Sequence, residues 1–389
     1  MKKYILSAFL CILTLAVQAQ TIYLHKGGTY TAAQLTDPFE INLYALYDSI
    51  TFTKPLYANP VTVTYDGGKA TVNIPDDLQG VKSQVNGADV VITSDNVTDE
   101  ITYIASGTSA NGSLTINGSY KLTLQLNNLS LTSTTGAAID IQCGKRIALV
   151  LPEGSTNSLA DAASGAQKAC LYCKGHLEVE GSGTLNVTAN KSHAISTKEY
   201  LQLKKTTGSI NIIRSANDAI HVGQYFQMNG GTVNIDANTV GDGIQVEKTT
   251  DPADEQNGEV IIKGGVLNVT MASQDTKAIK SDADITISGG TFTILANGNG
   301  SRGIQTDGNM VIGSESAETN ITITAAGGKC TVPEDKDDPH NCMGIKVDTD
   351  LTVNGGTITV YNTGKKAKGI KVGGVYRENG GTVIAEISN

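Results

Sequence analysis

The sequence predicts an all-β chain wound as a parallel β-helix, with three short strands per coil and a base period of 24–25 residues. Composition is the first indication. Glycine is 43 of 389 residues, about 11% against the usual ~7%, and proline is only 8, about 2% against ~5%. Abundant Thr, Asn, Val and Ile beside so much glycine suits many short strands joined by tight turns. The second indication is a phrase that returns along the chain: a small residue, then Ile or Leu, then a polar residue and often Val. The third is that no segment sustains a helical period, which removes leucine-rich and helical solenoids.

The apolar pivots of the returning phrase are Ile139, Leu171, Ile195, Ile220, Ile244, Ile279, Ile304, Ile345 and Ile370, at intervals of 32, 24, 25, 24, 35, 25, 41 and 25 residues. Two of the long gaps hold the loop Thr249 to Glu259 and the acidic stretch Gly328 to Cys342. A second phrase keeps step, as Thr184-Leu-Asn-Val187, Ser209-Ile-Asn-Ile212, Thr232-Val-Asn-Ile235 and Val266-Leu-Asn-Val269. A third alternating piece precedes it, as in Leu177-Glu-Val179 and Leu201-Gln-Leu203, and a Gly-Gly turn such as Gly230-Gly231 usually separates the two. Propeller blades need periods nearer 40–50 residues, whereas stacked coils repeat like positions every ~4.8 Å and line them into columns.

Residues 1–19 read as a secretory signal peptide, with Lys2 and Lys3 ahead of the apolar stretch Tyr4 to Val17 and an A-x-A-like site at Val17-Gln18-Ala19. That stretch is too short to span a bilayer comfortably, and no other segment is a transmembrane candidate. Phe9-Leu10 before Cys11 argues against a lipid anchor, so an exported protein is expected. Residues 20–57 form a small β-rich N-terminal segment, 58–100 a β-rich connecting region suited to cap the first coil, and 101–389 the β-helix. The formal charge of −9, from 29 Lys+Arg and 38 Asp+Glu, argues against a nucleic-acid partner. Five cysteines follow the leader. Cys330 and Cys342 bracket the acidic stretch, where a disulfide would tie its base; Cys143, Cys170 and Cys173 read as packed thiols or one bridge.

The run Gly136-Ala-Ala-Ile-Asp-Ile141, Leu149 to Asp161, Gly181-Ser-Gly-Thr-Leu185, Asn217-Asp-Ala-Ile-His221 and Gly241-Asp-Gly-Ile244 resembles an exported, calcium-binding, carbohydrate-binding β-helix family. The resemblance covers roughly residues 100–389. It implies a right-handed, pectate-lyase-like β-helix that binds plant cell-wall glycans of the cellulose or polygalacturonate type, with no cleavage demonstrated. Later coils carry Lys277-Ala-Ile279, Arg302-Gly-Ile304 and Lys368-Gly-Ile370 in place of Asp-Gly-Ile. His25-Lys-Gly-Gly and Asp48-Ser-Ile-Thr-Phe52 are similar to a segment common near the N-termini of exported proteins of gut-type Gram-negative bacteria.

Stacking converts these registers into chemistry. Asp218 and Asp242 fall two residues before adjacent pivots, about 5 Å apart. Carboxylates that close either share a proton, hold a cation, or are simply solvated turn residues. The resemblance turns this toward Ca2+, with Asn217 and Asp275 as further ligands. His221 joins the ligand-binding set, while His193 and His221 read as surface residues without zinc spacing. Lys277, Lys280, Arg302, Lys346, Lys368 and Lys371 make a cationic strip that either meets the carboxylates of a uronate chain or is balanced by Asp282, Asp307 and Asp348. An outward column of Asn186, Asn211, Asn234, Asn268, Thr293, Thr322 and Thr359 offers hydrogen bonds to a glycan, or reflects only sheet packing.

Three functions fit. The first is a non-catalytic binder of acidic or plant cell-wall polysaccharides with calcium between coils. The second is a calcium-dependent polysaccharide lyase, with Lys277, Lys280 or Arg302 as base. The third is a structural or adhesive surface protein. No catalytic residue is assigned, no Ser-His-Asp arrangement stands out, and the absence of tryptophan tempers binding to flat crystalline glucans.

Overall fold

The computed structural model describes residues 21–26, 29–34, 49–51, 60–76, 78–314, 317–332 and 335–388. The leader sequence lies outside the described residues. Every regular element among them is a strand, and no helix is long and apolar enough to cross a membrane. The reason is local: apolar and polar residues alternate over short runs, so only an extended chain can put Leu177 and Val179 inside while leaving Glu178 half-exposed.

Parallel pairing then builds long sheets. From Ile139–Gln142 to Gly290–Ala296, each strand pairs in parallel with the strand three places further along the chain. All nine pivots fall in one register, Ile139 on Leu171, Leu171 on Ile195, and so on to Ile345 on Ile370. They belong to a thirteen-stranded sheet and are buried. The other two phrases make equivalent ladders. One runs through Leu177, Leu201, Phe226 and Val260, the other through Leu185, Ile210, Val233 and Leu267. Inward side chains from these ladders merge into one elongated core. At ~1.5–3 kcal/mol per fully buried aliphatic or aromatic side chain, that core dominates stability.

The two large insertions leave the ladder intact. Ile244 still pairs with Ile279 across the loop Thr249 to Glu259, which Asn257 braces by accepting from the Thr249 N–H at 2.7 Å. The stretch after Gly328 forms an antiparallel pair, Lys329–Val332 with Asp335–Asn341, and Ile304 pairs with Ile345 beyond it. The Gly-Gly turns are explained by the stacking as well. Gly265 and Gly290 sit at φ 105° and 112°, and a Cβ on each would lie 2.8 and 2.9 Å from the carbonyl oxygen of the turn below.

Two compact units divide at Pro60/Val61. In the first, Thr21–Lys26 pairs antiparallel with Thr29–Gln34 and with Ser49–Thr51. The second begins with two hairpins, Val61–Asp66 with Lys69–Asn73 and Val81–Asn86 with Asp89–Ser94. One strand of each hairpin extends a sheet in parallel, Val61 opposite Tyr103 and Val90 opposite Leu114. Its last strand, Ile387–Ser388, extends the pivot sheet through Ile387 opposite Ile370, and leaves Ile387 exposed.

The cysteines require a correction. All five are buried free thiols, so the bridge expected between Cys330 and Cys342 does not form, nor does one among Cys143, Cys170 and Cys173. Cys143, Cys170 and Cys173 belong to the apolar core and Cys342 to a small apolar cluster, whereas Cys330 groups with Asp275 and His340; burial pushes the Cys173 thiol up to about 12.

Phe226 is fully buried between Leu201 and Val260 in its ladder, so Phe226→Ala should cost about 3–5 kcal/mol, against under about 0.5 kcal/mol for exposed Val97→Ala. Thermal and denaturant unfolding of both variants check this; equal losses would mean that the ladder is not the core.

Candidate functional site

Three surfaces carry chemistry, and each grows from a column. The first surrounds Asp218, in the turn just before the strand Ile220–Val222. Its Oδ1 accepts the Asp242 N–H at 2.9 Å, while Oδ2 lies 3.1 Å from His221 Nδ1 and 3.2 Å from His193 Nδ1. His193 leads the preceding strand, His193–Thr197, and its ring stacks on that of His221 with centroids 4.4 Å apart. On the far side of His221, Nε2 is 3.6 Å from a Glu247 carboxylate oxygen. Burial pushes Asp218 up, but the two adjacent imidazoles and the Asp242 N–H outweigh it and hold the group below the usual carboxylate range. Burial lowers His221 and the Asp218 contact more than reverses that, leaving it raised.

His193 is thus not a surface residue but 7% exposed, and its Nδ1, 3.2 Å from Oδ2, makes no well-formed hydrogen bond. The two carboxylates also differ from a facing pair. Asp242 accepts the Lys277 N–H at 2.7 Å, as Asp218 accepts that of Asp242, so each aspartate fastens its turn to the next. Asn217 is exposed, and Asp275 belongs to a separate group with Cys330 and His340, its Oδ1 2.6 Å from His340 Nδ1. Calcium takes about six to eight oxygen ligands. Of the four expected ligands, Asp218 and Asp242 lie on neighbouring coils with each carboxylate on a backbone N–H, Asn217 is exposed beside Asp218, and Asp275 contacts His340.

The second surface is the cationic strip. Lys277 pairs in register with Arg302, and the line continues through Met343 to Lys368. The neighbouring column runs His221, Gln245, Lys280, Gln305, Lys346, Lys371. Much of its charge is met internally: Lys277 by Asp275 at 3.6 Å, Lys280 by Asp282 at 4.0 Å and Lys346 by Asp348 at 2.6 Å. Arg302 is buried and donates to Gln305 at 2.6 Å. Lys368 and Lys371 are half-buried and carry no ion pair among the described residues.

The third surface is a groove of about 410 Å³. Its floor is Asn211, Asn234, Asn268 and Thr293, and its sides include Ile213, Ala237, Thr270 and Leu295. Each amide hands a hydrogen bond to the one below: Asn211 to Asn186 at 2.8 Å, Asn234 to Asn211 at 2.7 Å and Asn268 to Asn234 at 2.8 Å. An amide has two donors and two acceptor sites, so the inner members Asn211 and Asn234 spend one of each within the row. Sequence reasoning missed an aromatic stack nearby in the chain, His176 on Tyr200 at 4.4 Å and Tyr200 on Tyr225 at 4.7 Å. Its signal was present, because each ring immediately precedes a ladder residue, Leu177, Leu201 or Phe226.

The fold that carries these surfaces is a solenoid of parallel strands. Residues 86–389 match the family described as carbohydrate-binding domain-containing protein, and this chain belongs to that family. A relative of the same description from Acetivibrio thermocellus is 28% identical over 138 residues, covering 33% of this chain and 48% of the relative. The chain therefore spans about half the length of that relative. Among solved structures, the polysaccharide lyase-like protein from C. thermocellum, as a gadolinium derivative, superposes with a TM-score of 0.55 at 22% identity. The superposition covers 67% of this chain and all of the other, and shows a shared fold.

Asp242 yields a pH prediction. Burial raises it to about 6, opposed by the Lys277 charge and N–H and reinforced by Asp218. The folded chain therefore holds this proton more firmly than the unfolded chain, so the group's contribution is complete below the unfolded value of about 4 and is lost as pH rises through about 6. Asp242→Asn keeps an acceptor for the Lys277 N–H without that proton. In chelator, its Tm should fall less than the parent's between about pH 4 and pH 7; parallel curves would show that Asp242 does not titrate in this range.

Proposed function

We propose that the chain is an exported, non-catalytic polysaccharide-binding protein whose ligand lies across the strands in the asparagine-floored groove. The observation that carries the reading is the row of amides with unspent donors and acceptors. Neighbouring strands stand ~4.8 Å apart, so a glycan lying perpendicular to them meets a fresh polar group at each step. Flanking apolar atoms of Ile213, Ala237 and Leu295 suit the less polar faces of sugar rings. Binding rather than cleavage is supported by the lining, whose one titratable residue is Asp236; glycoside hydrolysis uses a pair of carboxylates and a lyase needs a base.

The geometry behind this is a right-handed coil of three strands with a base period of 24–25 residues, closed at its start by the hairpins of 61–94. The parallel registers and hairpin pairings support it. Export is supported by the leader-like first 19 residues. A second reading has one specific observation in its favour: Lys368 and Lys371 stand in adjacent columns without ion pairs, as a site for a uronate chain requires.

Affinity electrophoresis against soluble cellulose derivatives, xyloglucan and polygalacturonate separates the two. Retardation by at least one neutral glucan is expected, and Ala237→Trp, which fills the groove from an exposed position, should weaken it about tenfold or more. Retardation by polygalacturonate alone, removed by Lys368→Glu with Lys371→Glu and indifferent to Ala237→Trp, would move the site to the cationic strip. Release of unsaturated, ultraviolet-absorbing products from polygalacturonate would replace binding by lyase activity.

A further inference from the structure

We propose that His193, Asp218 and His221 form a binding site for a late first-row divalent metal ion of the zinc class, through His193 Nδ1, Asp218 Oδ2 and His221 Nδ1. These three atoms lie within 4.8 Å of one another. The two measured edges are 3.2 and 3.1 Å. Donors held ~2.0–2.1 Å from one ion stand about 2.8–3.4 Å apart in octahedral or tetrahedral geometry, so these two edges fall in the range that a shared ion requires.

A second observation points the same way independently. His193 Nδ1 is buried, faces Oδ2 and makes no hydrogen bond. A buried imidazole nitrogen normally finds a partner, because leaving it without one costs free energy. An ion at this point would satisfy it. Around the other ligands the polar groups suit the same arrangement. Asp218 Oδ1 is already held by the Asp242 N–H, which fixes the carboxylate, and Glu247 sits 3.6 Å from His221 Nε2, where it favours the tautomer that keeps Nδ1 free to bind. The donor set, two imidazoles and one carboxylate, selects zinc and its neighbours over calcium or magnesium. Three protein ligands leave positions for water or a ligand hydroxyl. Because His193 precedes one pivot and Asp218 and His221 flank the next, the ion clips two neighbouring strands.

The test uses the intact chain stripped with chelator, titrated at neutral pH with zinc chloride and, separately, calcium chloride. Saturable zinc binding with a rise in Tm is expected, weakened more than about tenfold by His221→Ala and retained in His340→Ala, which dismantles the Asp275–Cys330–His340 group. His221 is partly exposed, so this variant is a mild one for the fold. X-ray absorption on the zinc-loaded, unaltered chain identifies the ligands without any substitution: imidazole nitrogen with oxygen and no sulfur supports the site. No saturable zinc binding, sulfur among the ligands, or unchanged zinc affinity in His221→Ala would overturn it. None of these outcomes bears on glycan retention in the groove, which stands or falls separately.

Discussion

The structure depends on one constraint, the register of its parallel ladders. Side chains alternate faces with a period of two, so a slip of one residue in any coil would turn Ile220 or Ile244 outward and bring His221 or Gln245 into the core. Burial of nine pivots in a single line forbids this slip at each coil. Everything chemical on the outside inherits the same alignment. The amides of Asn211 and Asn234 meet because Ile210 and Ile212 beside them are locked onto Val233 and Ile235.

That constraint explains where variation is tolerated. The loop beginning at Thr249 and the antiparallel pair near Cys330 enter between strands, and pairing resumes at Ile279 and Ile345 as if they were absent. An insertion in a turn adds a loop-closure cost that grows slowly with length, whereas one within a strand would break every pair on that coil. The Gly-Gly turns sit at the other extreme. There the coils approach so closely that a Cβ on Gly290 would stand 2.9 Å from the carbonyl oxygen of Gly265, at a φ that favours glycine.

Much of this was legible in the sequence because a column is a statement about spacing, and spacing is what a sequence records. The pivots, the asparagine column and the adjacency of Asp218 to Asp242 all follow from counting. What counting cannot supply is which atom a side chain turns toward. Asp218 and Asp242 do sit on neighbouring coils, yet each carboxylate is drawn to the backbone N–H beyond it, where a charge-assisted bond is short and the donor fixed. His193 shares the column of Asp218, but its burial depends on the His221 ring lying over it. The balance of the cationic strip was half visible, since Lys280 with Asp282 and Lys346 with Asp348 are same-face neighbours two residues apart. Cys330 and Cys342 misled because flanking positions say nothing of direction: Cys342 packs in an apolar cluster, while Cys330 groups with Asp275 and His340.

On the proposed function, the asparagine row serves packing and recognition together. Each amide donates to the one below and accepts from the one above, so the dipoles of Asn186, Asn211, Asn234 and Asn268 align and polarise one another. Alignment fixes the rotamer of every member, which means that the unspent donors and acceptors are presented without the entropic cost of ordering them on binding. The row is nevertheless uniform, and a uniform row cannot distinguish one sugar sequence from another. Discrimination must come from what differs along the groove: exposed Ile213, the Asp236 carboxylate, and the change from amide to hydroxyl at Thr293. A ligand bound there would be held by the repeating floor and selected by the irregular walls, so specificity could change without any change to the ladders that make the chain fold.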